Sequence, residues 1–78
     1  MDVSKAFGIT LRKLRISKEL TQEQLGFEAD LRRTYISSLE LGEKQPSLTT
    51  IFRLANALEI PMSKLLKLVE KEIEVKKP

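Results

Sequence analysis

The chain has 78 residues and a formal net charge of +3, with neither cysteine nor histidine. That length predicts one domain, residues 1–78, with no room for a second core. The composition leaves no disulfide and no thiolate- or imidazole-held metal. Its carboxylates lie at no calcium-loop spacing, so no metal or cofactor is expected.

Apolar residues recur at helical spacing nearly everywhere, and no segment alternates like a half-buried strand. Phe7, Leu11 and Leu14 predict a first helix near residues 3–18, which also carries Arg12, Lys13, Arg15 and Lys18. Thr21-x-x-Gln24 is a capping box and starts a second helix with Leu25 and Ala29 inward. Gly26 lies inside that helix, where glycine costs ~1 kcal/mol against alanine. A close backbone crossing would explain it. Asp30 occupies the turn, because aspartate tolerates the left-handed conformation.

A third helix runs from about Arg33 to Leu41 with Ile36 and Leu39 inward, and Gly42 stops it. Ser47 caps a fourth helix over residues 48–58, whose apolar stripe is Leu48, Ile51, Leu54, Ala55 and Leu58. Pro61 suits the first turn of a fifth helix near residues 62–74. The tail from Val75 onward is expected to fray. Five helices with short connections make a compact all-α domain. Helices two and three, over residues 21–41, are short and nearly contiguous, the pattern of a helix-turn-helix. The leading edge of the third carries Arg32, Arg33, Thr34 and Tyr35.

The run Thr21-Gln22-x-x-Leu25, then Tyr35-Ile36-Ser37-x-Leu39-Glu40-x-Gly42, then Pro46-Ser47-Leu48 with Leu54-Ala55-x-Ala57-Leu58, resembles the Cro/C1-type (XRE) helix-turn-helix domain of phage repressors. The likeness covers roughly residues 7–68. Within it, Asp30 to Ser37 is especially similar to the controller proteins of restriction–modification systems. The resemblance implies a lambda-repressor-like fold and a transcriptional regulator of double-stranded DNA. It further implies a homodimer on a roughly palindromic operator, with half-sites about one helical turn apart.

The resemblance puts base readout on Arg33, which can pair bidentately with guanine. Thr34 and Ser37 are short enough to touch a base edge, a thymine methyl or a phosphate, and Ser38 lies on a matching readable face. The resemblance puts a phosphate contact on Gln22 at the start of the second helix. The Tyr35 hydroxyl, Arg32, and Lys44 and Gln45 after the recognition helix are read as further DNA-backbone contacts. Arg32 departs from the pattern: relatives often have a capping Ser, Thr or Asp there. A cation at that point opposes the helix dipole unless a phosphate lies near it. Arg15 and Glu40 match a family pair that forms a salt bridge between the first and third helices. The fifth helix has more apolar surface than one face needs. Leu65, Leu68, Val69 and Ile73, with the tail to residue 78, are read as the dimer interface.

An enzyme is not expected, since the usual bases and thiol nucleophiles are missing and Gly8, Gly26 and Gly42 form no phosphate loop. No apolar run reaches the ~18–20 residues of a membrane span, and no signal-peptide pattern opens the chain. A cytoplasmic bacterial or phage protein at the nucleoid is expected, with no membrane and no small-molecule ligand. The alternatives are an antitoxin, a general or phage repressor of the same fold, or a protein-binding coactivator.

Overall fold

The computed structural model describes residues 2–75 and shows five α-helices and no strand among them. They are α1 (Val3–Ser17), α2 (Gln22–Ala29), α3 (Arg33–Glu40), α4 (Leu48–Ala57) and α5 (Met62–Val75). The frayed tail and its share of a dimer contact, expected from Val75 onward, concern side chains outside the described residues.

Local chemistry fixes most helix starts. The Asp2 carboxylate accepts from the Ser4 amide at 2.7 Å and opens α1. At α2 the capping box is complete. Gln24 N donates to Thr21 Oγ1 at 3.0 Å, and Thr21 N donates to Gln24 Oε1 at 2.8 Å. Ser47 Oγ accepts from the Thr50 amide at 3.1 Å to begin α4. Arg32 stands at the start of α3 with no side-chain cap.

The ends of α1 to α4 follow one device. A residue one or two positions past the helix turns left-handed, and the next amide reaches back across the last turn. It occurs at Glu19, Asp30 and Glu59 with φ near 60°, and at Gly42 with φ 76°. The returning bonds are Leu20 N to Arg15 O, Leu31 N to Gly26 O, Ile60 N to Ala55 O and Glu43 N to Ser38 O. The sequence pointed to Asp30 and Gly42 but not to the two glutamates.

The core is Phe7 and Leu11 of α1, Leu25 of α2, Ile36 and Leu39 of α3, Leu54 of α4, the following Leu58, and Leu65 and Val69 of α5. Ala6, Ala29 and Ala55 fill the close approaches between them. Helix α1 packs against α5 and α3, α2 against α3 and α4, and α4 against α5. The recognition-type helix α3 therefore rests on α1 and α2. Leu48 departs from its expected stripe: at the first turn of α4 it is 70% exposed.

Two of the four dimer residues read from the fifth helix, Leu65 and Val69, belong to the chain's own core. Leu65 is fully buried and Val69 is 4% exposed, and only Val69 borders an open hollow, the one between the start of α1, α4 and α5. Ile73 is half-buried against the same core, and Leu68 is half-buried. Leu66, next to Leu65 in the chain, is exposed. The physical reason is that helical period fixes a stripe but not its absolute direction. The packing of α5 on α1 rotates the stripe toward Leu65 and Val69.

Candidate nucleic-acid interface

The leading edge of α3 is open. Arg32, Arg33 and Thr34 are exposed, while Tyr35, Ser37 and Ser38 are half-buried. Arg33 and Ser37 are four residues apart and share a face, as do Thr34 and Ser38. Ser38 Oγ donates to the Thr34 carbonyl at 3.2 Å, which commits its proton within the helix and leaves its oxygen to accept. Tyr35 packs its ring against the core. Lys44 reaches back over that ring, with Nζ 5.9 Å from its centroid, a cation–π distance. Lys44 and Gln45 are exposed in the loop that follows α3.

The other end of α3 is locked. Glu40 is 9% exposed and receives three hydrogen bonds. Arg15 donates from Nε to Oε2 at 2.7 Å and from Nη2 to Oε1 at 3.1 Å. Gln22 Nε2 donates to Oε1 at 3.1 Å. The third guanidinium nitrogen, Nη1, donates to the Leu20 carbonyl at 2.8 Å. A bidentate pair at low exposure is both stronger and more directional than a surface pair. The hydrogen bond from Arg15 to Glu40 raises the arginine pKa against the opposing effect of burial. The guanidinium is therefore charged at any pH at which the protein folds.

This network joins α1, the turn after it, the first residue of α2 and the last residue of α3. Gln22 spends one amide hydrogen on Glu40, so its position relative to α3 is fixed. Its carbonyl oxygen and second amide hydrogen remain for another partner. The Gln22 link to Glu40 is not readable from the sequence, because the two residues are far apart in the chain. Two glycines complete the support. A Cβ on Gly26 would lie 2.5 Å from the Leu31 carbonyl oxygen, the close crossing its place inside α2 suggested. A Cβ on Gly8 would lie 2.4 Å from Leu39 O and 2.6 Å from Glu40 O. Gly8 thus lets α1 pass against the last turn of α3, a role the sequence gave no sign of.

Among the described residues no cluster of acidic side chains could hold a metal ion, and no helix is long and apolar enough to cross a membrane. The arrangement offers an exposed cationic and hydroxylic helix edge on a fixed base, the shape and chemistry a major groove accepts.

The chain is similar to known proteins in sequence and fold. The family model described as helix-turn-helix matches residues 11–65. Control protein C.BamHI of Bacillus amyloliquefaciens is 44% identical over 61 residues, 77% of this chain and 75% of that protein. Control protein C.MunI of a Mycoplasma species is 40% identical over 72 residues, 91% of this chain and 97% of its own. The crystal structure of the restriction-modification controller protein C.AhdI from Aeromonas hydrophila superposes with a TM-score of 0.78 at 42% identity, covering 80% of this chain and 94% of that one. The chain belongs to the Cro/C1-type helix-turn-helix family of DNA-binding transcriptional regulators.

Proposed function

We propose that this protein is a restriction–modification controller: a single-domain cytoplasmic regulator, without catalytic activity, that binds a roughly palindromic operator as a homodimer. One observation carries the DNA-binding mode. The α3 edge bearing Arg33 is exposed while its far end is fixed by Arg15 and Gln22 on the buried Glu40. In this reading Arg33 pairs with a guanine, and Thr34, Ser37 and Ser38 touch base edges or thymine methyls. Gln22, Arg32, Tyr35, Lys44 and Gln45 hold phosphates. The controller role is supported by relatives named control proteins that match most of the chain.

The homodimer is drawn from a different surface than the sequence suggested. Leu48, Phe52, Leu66 and Val3 are exposed apolar side chains, 39–70% accessible. Val3, Ile51 and Leu66 line one shallow hollow between the start of α1, α4 and α5. Exposed apolar surface beside such a hollow supports a protein contact there. That surface takes the place of Leu65, while Val69 borders the same hollow.

Selection of bound duplexes from a random pool tests the function. The expected result is an enriched inverted repeat with half-sites about one turn apart. Enrichment of no sequence would overturn the proposal. A restriction–methylation gene pair beside the gene supports the controller role, and a toxin gene in that place would reassign it to an antitoxin.

A further inference from the structure

A second opening in the molecule lies away from α3. It is a cleft of about 360 Å³ between α1 and α5, lined by Thr10, Lys13, Leu14, Leu68, Lys71 and Glu72 among others. That volume falls at the small end of the range for small-molecule sites, ~300–1,000 Å³. Leu14 and Leu68 give it apolar walls.

Two polar features distinguish it from a packing defect. Thr10 is 4% exposed, and its Oγ1 has no hydrogen-bond partner among the described residues. A buried hydroxyl left so is costly and normally has a partner. Charge at the rim is also uneven. Glu72 is 8% exposed, and Lys13 Nζ neutralises it at 2.9 Å. Lys71 remains unpaired, as do Lys67 and Lys64, one and two turns back along α5, among the described residues. These three lysines line a second hollow that adjoins the cleft through Leu68 and Lys71. The cleft therefore has an apolar body, a polar floor and a cationic exit.

We propose that the α1–α5 cleft binds a small amphiphilic anion whose apolar body lies between Leu14 and Leu68. A polar atom at its inner end meets Thr10 Oγ1, and its anionic group leaves toward Lys71 and Lys67. The complementarity is specific in direction: an inverted ligand would bring its anion to the buried Glu72 and leave the lysines unused. The site is distinct from the apolar patch ascribed to the dimer. Leu66 and Leu68 are two residues apart on α5, about 200° around the helix.

The test uses three matched probes on the isotope-labelled full chain: 4-hydroxyphenylacetate, phenylacetate and 2-phenylethanol. Titration followed by NMR should give saturable shifts at Thr10, Leu14, Leu68 and Glu72. The expected order is 4-hydroxyphenylacetate tightest, phenylacetate about fivefold weaker for the lost hydrogen bond, and the uncharged alcohol weakest. Thr10→Val removes the hydroxyl without changing the shape. It should leave the fold intact and erase the difference between the first two probes. Lys71→Gln should erase the advantage of phenylacetate over the alcohol. Absence of saturable shifts, or shifts centred on exposed Phe27 or Phe52, would overturn the proposal. So would movement of the Leu14 and Leu68 signals on dilution without any probe, which would make the cleft a contact between copies.

Discussion

A methyl group added at Gly8 would sit 2.4 Å from one carbonyl oxygen and 2.6 Å from the next, both in the last turn of α3. Backbone cannot rotate away as a flexible side chain can. Gly8→Ala must therefore push α1 and α3 apart, and overpacking of this kind costs about 1–3 kcal/mol. The separation would also stretch the Arg15 contact to Glu40. The expected outcome is a lower urea midpoint together with weaker operator binding, even where the variant remains folded. A Gly8→Ala protein with unchanged midpoint would mean that the two helices have slack the structure does not show. Arg33 poses the opposite case, an exposed residue whose loss should leave the fold alone. Arg33→Ala is expected to keep the unfolding midpoint and cost about 1–3 kcal/mol on the operator, with base preference relaxed at one position per half-site. Equal weakening on every sequence would make Arg33 a phosphate contact.

Among the elements, α3 is the least supported at its start. Its first residue follows Arg32, which provides no cap and places a cation where the helix dipole is already positive. Serine in that position accepts an amide hydrogen and removes the charge. Arg32→Ser should stabilise the free protein by about 1 kcal/mol and weaken its binding to DNA. Unchanged affinity would remove Arg32 from the phosphate contacts. The end of α4 carries a related cost. Glu59 has φ 60°, where a side chain is disfavoured and glycine is not. Glu59→Gly should raise stability by about 0.5–1 kcal/mol, read as a higher melting temperature; a fall would show that the Glu59 side chain contributes a contact larger than its strain. These two ends also mark what could be read from the sequence. Caps and stops made by Thr21, Asp30, Gly42 and Ser47 were legible because each residue type suits its local geometry. The turns at Glu19 and Glu59 were not, because tertiary packing imposes a conformation that glutamate does not favour. The leading edge of α3 was legible for the same local reason, as a run of cations and hydroxyls at a helix start. The Gln22–Glu40 bond and the Gly8 crossing were not, since both arise only when distant segments meet.

At the scale of the whole molecule, a chain this short buries a small core and is marginally stable alone. It nevertheless leaves Leu48 and Phe52 of α4 and Leu66 of α5 exposed to water. Helix α3 rests on α1 and α2, so two copies joined through α4 and α5 would keep both recognition edges uncovered. Position on the helix decides which substitution tests this. Leu65 is unsuitable, because its replacement would open the core and unfold the chain whether or not a dimer exists. Phe52 is 51% exposed and can become glutamate without a buried charge in the monomer. Two such charges facing each other across a symmetric contact would repel. The wild-type chain should sediment as a dimer at tens of micromolar and dissociate on dilution. Phe52→Glu should sediment as a monomer with its helical content intact, and its occupancy of a full operator should lose its cooperative rise with concentration. Phe27→Glu is the control. Phe27 is 84% exposed on α2, outside the α4–α5 patch, and its change should leave the dimer unaffected. A Phe52→Glu protein that still sediments as a dimer, or a Phe27→Glu protein that does not, would move the interface off α4 and α5.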